Sequence, residues 1–249
     1  MQGFKSETPN PEYRGGPAKL RLIKKGQNIL WIDPSKTNKK IVLIGSHYDT
    51  KHLEDLSYVG ANDSASSSVA IMNFLKFLNS IDRNCHYVGV WFDGEESVLH
   101  NWSDGERDYP EKIVDNTYGS RYFVDQLEKC QGGWCLKDRI SPIKALILLD
   151  MIGSKNPKLS LDTNSDKTLL GFLRNSVEEL GYSDMIGSLS PIEDDHIPFI
   201  KKGIPAVDII DFENVDTWHT HGDHLENLSR QSILSFSKIA MKTAIKSCR

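Results

Sequence analysis

Hydrophobic positions along the chain follow two different periods. Four runs are nearly continuous in apolar and β-branched residues: KIVLIGS at 40–46, YVGVWF at 87–92, KALILLD at 144–150 and AVDIID at 206–211. Strands buried on both faces of a parallel sheet read this way, because neither face meets water. A fifth and more polar run, QNILWIDP at 27–34, predicts a strand at the sheet edge. Between these runs the period becomes helical. In SASSSVAIMNFLKFLNS, Ile71, Phe74, Leu75 and Leu78 share one face, and DKTLLGFLRNSVEELGY repeats the device with Leu169, Phe172, Leu173 and Leu180 before Gly181 stops the helix. A last helix starts beyond Ser229 and turns Ile233, Phe236 and Ala240 inward. Strand and helix in alternation predict an α/β fold: an open mixed, mostly parallel central sheet with helices on both faces, in one domain over 1–249.

Composition narrows the function classes. A net charge of -4 over 249 residues gives no electrostatic attraction for nucleic acid or an anionic membrane. No apolar run approaches the ~20 residues of a membrane span, and the first residues lack the apolar centre of a secretory signal, so a soluble, monomeric chain is the expectation. Cys85, Cys130, Cys135 and Cys248 are too scattered for a disulfide framework or a thiolate metal cage. Free thiols are expected, with a local Cys130–Cys135 pair as the alternative. The triplets at Asn62, Asn101 and Asn227 have the glycosylation pattern, which chance also produces. Polar residues 103–116 read as a long surface loop at the rim of whatever site follows the second run.

Acids and histidines fall immediately after the strands. His47 and Asp49 follow the first run, Glu95 and Glu96 the second, Asp150 ends the third, and residues 194–196 and His219 flank the fourth. The carboxyl ends of strands in an open α/β sheet are where loops from distant parts of the chain converge. Asp63, in GANDSA before the first helix, joins them. His47, Asp63, Glu96, Asp150 and His219 make an imidazole and carboxylate set suited to Zn²⁺. Neighbouring side chains point different ways, so with Glu96 on a metal, Glu95 is free to carry protons. Each residue also has a plainer reading. A Glu-Glu pair after a strand is usually a solvated turn, and Asp93 caps one. His52, His86 and His100 read as surface or rim residues, His221 and His224 as spread along a loop, and His196 as a structural hydrogen-bonder.

The motifs GSHYDTK, GANDSA, FDGEE, YGSR, LLDMIG, EDDHIPF and TWHT together resemble the glutaminyl-peptide cyclotransferases (glutaminyl cyclases), relatives of the M28-type zinc aminopeptidases. Trp beside the last His looks more like the cyclases than the peptidases. The resemblance implies zinc held by Asp63, Glu96 and His219, with His47 and Asp150 completing a second zinc site if two ions bind. It implies Glu95 as acid/base, Asp194 and Asp150 as its hydrogen-bond partners, and Trp102, Trp218 and Phe199 as walls of the substrate pocket. The implied reaction converts the N-terminal glutamine of a peptide or protein to pyroglutamate and releases ammonia. Alternatives are a zinc aminopeptidase cutting the first peptide bond and a non-catalytic zinc-binding domain. Two cysteines paired in animal cyclases correspond to Ser46 and Ser68, the aromatic expected before WHT falls on Asn214 with Phe212 close by, and the N-terminal helical region of the family is expected to be shortened.

Overall fold

The four apolar runs form the centre of an eight-stranded sheet in the computed structural model, which describes residues 2–7, 25–33, 40–53, 58–82, 84–97, 116–128, 143–214 and 216–249. The strands are β1 (Gln2–Glu7), β2 (Lys25–Trp31), β3 (Lys40–His47), β4 (Cys85–Phe92), β5 (Ile143–Asp150), β6 (Leu159–Asp162), β7 (Ile186–Ser190) and β8 (Ala206–Ile210). The helices are α1 (Ser67–Ile81), α2 (Tyr118–Glu128), α3 (Lys167–Glu179), α4 (Ile197–Lys201) and α5 (Arg230–Cys248). Across the sheet the order is β1-β2-β4-β3-β5-β8-β6-β7. The central four, β4-β3-β5-β8, are mutually parallel, while β2 runs antiparallel to β4 and β6 antiparallel to β8. The sheet is thus mixed and mostly parallel, as the near-continuous apolar runs require.

Alternation along each central strand divides the core. Val42 and Ile44 of β3 face one side with Tyr87, Ile147 and Val207, under the buried faces of α1, α3 and α5. Leu43 faces the other side with Val88, Val90, Leu146 and Leu148, under α2 and α4. The helical stripes read from the sequence face the core: Ile71, Phe74, Leu75 and Leu78 on α1, Leu169 and Leu173 on α3 and Phe236 and Ala240 on α5 are buried, while Phe172, Leu180 and Ile233 are partly buried against it. Asp166 caps α3 by accepting from the amides of Thr168 and Leu169, and Ser229 caps α5 by accepting from Ser232.

Three expectations need correction. The strand read at 27–34 is not at the edge: β1 pairs along it, Gln2 opposite Leu30 through Glu7 opposite Lys25. His86 is buried, not on the rim, and its Nε2 accepts from the Asp33 amide at 3.2 Å. Cys85 and Cys248 are not free thiols. They form a disulfide across a sequence separation of 163, with Cα atoms 5.9 Å apart, fastening the end of α5 to the start of β4; separation in sequence hid a pairing that the fold brings about. Cys130 and Cys135 lie outside the described residues, as does the rim loop except for Asn116. No helix among the described residues is long and apolar enough to cross a membrane.

Because this crosslink closes a loop with a sequence separation of 163, its chain-entropy contribution is about 5 kcal/mol. Cys248→Ser should therefore lower the urea unfolding midpoint by a large margin, and reductant should do the same to the parent chain and nothing further to the variant.

Candidate active site

Parallel strands deliver the site. β3 ends on His47 and β5 on Asp150, β4 runs on into residues 93–96, and β8 leads into residues 212–219. The turn after β4 needs Gly94, whose φ of 68° is strained for residues with a Cβ. Asp93 accepts from the Gln27 amide at 2.6 Å, anchoring the turn to β2 as the capping reading expected. Asp49 then receives two successive amides, Glu95 at 3.1 Å and Glu96 at 3.2 Å. With that backbone pinned, the adjacent glutamates serve different neighbours: Glu96 contacts His219, and Glu95 lies among Asp194, Asp195 and His47.

Two donor triads meet at Asp63: His47, Asp63 and Asp150 form one, and Asp63, Glu96 and His219 the other, with ligand atoms in each within 4.8 Å of one another. His47 Nε2 lies 3.0 Å from Asp63 Oδ1 and 3.4 Å from Asp150 Oδ1, and His219 Nε2 lies 3.4 Å from Asp63 Oδ2 and 3.0 Å from Glu96 Oε1. His47 Nε2 makes no directed hydrogen bond despite those short distances, and Glu96 Oε2 is buried without a hydrogen bond. Such buried orphan atoms are rare unless something else satisfies them. Imidazole nitrogens and carboxylate oxygens aimed at common points fit a divalent ion of the zinc kind. Without a cation, the charges partition between the partners. Burial opposes protonation of His219, but hydrogen bonds to Asp63 and Glu96 carry it to about 9. Asp63 is buried too, yet His219 and His47, both close to its oxygens, hold its carboxyl well below the usual range.

Beyond the triads lies a group of acids with no such partners. Burial pushes Glu95 well above the ordinary carboxylate range; His47 pulls against this, and Asp194, Glu96 and Asp195 reinforce it. Burial raises Asp194 strongly, helped by Asp150 and Asp195, and carries Asp195 up to about 7 against a hydrogen bond from Ser120. Asp208, buried within β8, is raised by its burial and then by Asp194 and Asp162. Glu95 Oε1 has no hydrogen-bond partner. A buried carboxyl group raised in this way beside a cavity is equipped to take and return a proton.

A cavity of about 570 Å³ opens over these groups, lined by Glu95, Glu96, Asp63, Asp150 and Asp194 and walled by Met151, Ile192, Ile210, Phe212 and Trp218. The volume suits a small ligand or a peptide end. Trp218 stacks on His219 with centroids 4.1 Å apart, and Phe212 meets Trp218 edge-on at 5.5 Å. Phe212, not Asn214, is the aromatic at this wall; Asn214 donates to both carboxylate oxygens of Asp211 and shapes the loop. Phe199 is a second correction. It is fully buried in the opposite core layer, 5.9 Å from both Phe92 and Phe123, because α4 turns it into the sheet and away from the cavity. Trp102 lies outside the described residues.

Local hydrogen bonds set the ligand loops. Ser46 and Ser68, where a disulfide was expected to be missing, have hydroxyls 3.4 Å apart, and Ser68 donates to the His47 carbonyl at 2.7 Å. Ser46 also contacts Ser67 at 2.8 Å. Asn62 uses its side chain on Gly153 and Ser154, joining the Asp63 turn to the loop after β5, so its amide is not offered for glycosylation. His196, expected to hydrogen-bond within its own motif, instead has its Nε2 2.9 Å from Asp162, outside that motif. His52 and His221 are exposed, and neither they nor His224 join a triad. Sequence reasoning missed Tyr58 and Asp223, which touch the Asp63 turn; Asp223 stood in HTHGDH, where the histidines drew attention.

An α/β sheet carrying two joined imidazole and carboxylate triads at its carboxyl edge defines the class: an α/β protein with a candidate metal centre of the catalytic kind. The chain belongs to peptidase family M28, whose profile matches residues 28–244. It is 30% identical over 234 residues to the glutaminyl-peptide cyclotransferase of Boiga irregularis, covering 81% of this chain and 60% of that protein, and 29% identical over 231 residues to that of Bos taurus, covering 82% and 61%. The chain thus spans about three fifths of the length of these curated relatives. Its fold superposes on an Acidobacteriales bacterium glutaminyl cyclase with a TM-score of 0.78 at 27% identity, over 99% of this chain and 78% of that one. The zinc aminopeptidase BSAP from Bacillus subtilis shares the fold at a TM-score of 0.67 and 24% identity, over 90% of this chain and 51% of that one.

Gly60 precedes the Asp63 turn with φ of 60°, and an added Cβ would lie 2.3 Å from the Asp63 carbonyl oxygen. Gly60→Ala should therefore cost at least about 1–3 kcal/mol of stability, read from urea unfolding, whereas Gly171→Ala, where nothing lies within 4 Å of the added atom, should cost nothing.

Proposed function

We propose that this chain cyclises the N-terminal glutamine of peptides or proteins to pyroglutamate with release of ammonia, using zinc at Asp63, Glu96 and His219. The observation that carries the reading is Glu95: a buried carboxyl with an unpaired oxygen, lining the cavity next to a complete donor triad, in a chain similar over four fifths of its length to proteins named glutaminyl-peptide cyclotransferase. When bound, zinc supplies Lewis-acid polarisation of the γ-carboxamide carbonyl.

The chain's own residues perform the rest. Trp218 and Phe212 hold the glutamine side chain and shed water from it. Glu95 accepts a proton from the α-amine as that nitrogen bonds to the carboxamide carbon (Cδ), then returns a proton to the departing amide nitrogen, which leaves as ammonia. The new C–N bond closes the lactam while the old one breaks, so no external nucleophile or co-reactant is needed. Asp194, itself driven toward its neutral form by burial, steadies Glu95 during the exchange, and Asp150 borders His47 at 3.4 Å.

The intact triad of His47, Asp63 and Asp150 favours one second reading, a two-zinc aminopeptidase in which Glu95 activates water against the first peptide bond. Glu95→Gln separates catalysis from binding. Ammonia release from a Gln-initiated peptide should fall by at least about 100-fold, while zinc content by elemental analysis stays at the parent level. Retained turnover in this variant would sink the proposed role, and zinc bound without turnover in the parent chain would point to the non-catalytic domain.

A further inference from the structure

We infer that Asp223 and Tyr58 are the positioning residues that hold the shared ligand Asp63 between the two donor triads. The inference rests on the reading that these triads hold a metal. Three consecutive backbone amides of the turn bearing Asp63 donate to this one aspartate. Ala61 reaches its main-chain carbonyl at 3.4 Å, Asn62 its Oδ1 at 2.6 Å and Asp63 its Oδ2 at 3.1 Å. Asp223 lies four residues beyond His219 and is buried, at 3% exposure. The loop that carries His219 is therefore fastened directly to the backbone that carries Asp63.

Asp63 has a second requirement. Its two oxygens must point opposite ways, Oδ1 toward His47 and Oδ2 toward His219. A carboxylate turning freely about its last bond would satisfy only one triad at a time. The Tyr58 hydroxyl sits 3.1 Å from Asp63 Oδ2 and 3.0 Å from Asp223 Oδ2, and its ring stands edge-on to His219 at 5.8 Å. One hydrogen shared over this pair holds Oδ2 on the His219 side, and Asp223 fixes the tyrosine oxygen from behind. The three groups form one unit: an amide cradle for the backbone and a hydroxyl stop for the side chain. Partners behind metal ligands typically set affinity by 10–100-fold when removed.

The test uses the full chain with Zn²⁺ as the probe, titrated against a competing chromophoric chelator, beside thermal unfolding of the metal-free proteins. Tyr58→Phe removes a single hydroxyl and Asp223→Asn keeps the shape. Each should weaken Zn²⁺ affinity by about 10–100-fold, and the double variant should lose less than the two single losses combined, since the groups act as a unit. Tyr58→Phe should leave metal-free unfolding unchanged, which a purely structural role would not predict. Parent-level zinc affinity in both single variants would overturn the inference, as would an affinity loss matched by an equal loss of metal-free stability or a double variant that is fully additive. A parent chain that binds no Zn²⁺ would instead overturn the metal-site reading, and this inference with it.

Discussion

The constraint on which everything else depends is the crowding of negative charge in a dry space. Asp63, Glu95, Glu96, Asp150, Asp194, Asp195 and Asp208 are each less than a tenth exposed, and they gather where β3, β4, β5 and β8 end. Burying one carboxylate is costly, and mutual repulsion adds to that cost. The fold answers in three ways. His47 and His219 stand among the acids of the two triads, Asp49 and Asp223 collect the amides that fix the turns, and Glu95, Asp194, Asp195 and Asp208 are driven toward their neutral forms. A cation between the triads would relieve the rest and satisfy the orphan atoms at this edge.

Rigidity comes from polar contacts more than from packing. The Asp63 turn is held from one side by Asn62 against Gly153 and Ser154, from another by Asp223, and from below by hydroxyls of Ser64 and Ser68 on the His47 carbonyl. A cluster of serines thus occupies the ground between β3 and α1. Hydroxyls serve where a crosslink was expected in relatives because they satisfy a buried carbonyl while leaving the backbone geometry intact. The crosslink present, Cys85–Cys248, acts on the far end of the sheet, where α5 finishes.

How much of this could be read from the chain alone depended on the kind of signal. The central strands and α1 were legible because burial on both faces, or on one helical stripe, is written directly in residue periodicity. The residues of the two donor triads were legible because acids and histidines recur where strands stop. β6 and β7 were not, being four and five residues long with polar positions among the apolar ones. Phe199 could not be assigned a face: five residues of α4 give no period, and only the packing against Phe92 and Phe123 shows it turned into the core. Asp223 was hidden for a different reason, since its value lies in backbone amides 160 residues away, which leave no mark in composition or spacing.

The central claim is that this edge closes a ring on glutamine, which is a chemistry distinct from cutting a peptide bond with nearly the same groups. The most direct measurement is mass spectrometry of the zinc-loaded chain incubated with a Gln-initiated and a Leu-initiated peptide in one mixture. The account predicts that the first loses ammonia while the second is untouched. Removal of the first residue from the Leu peptide, with the Gln peptide not cyclised, would contradict it and assign the site to hydrolysis.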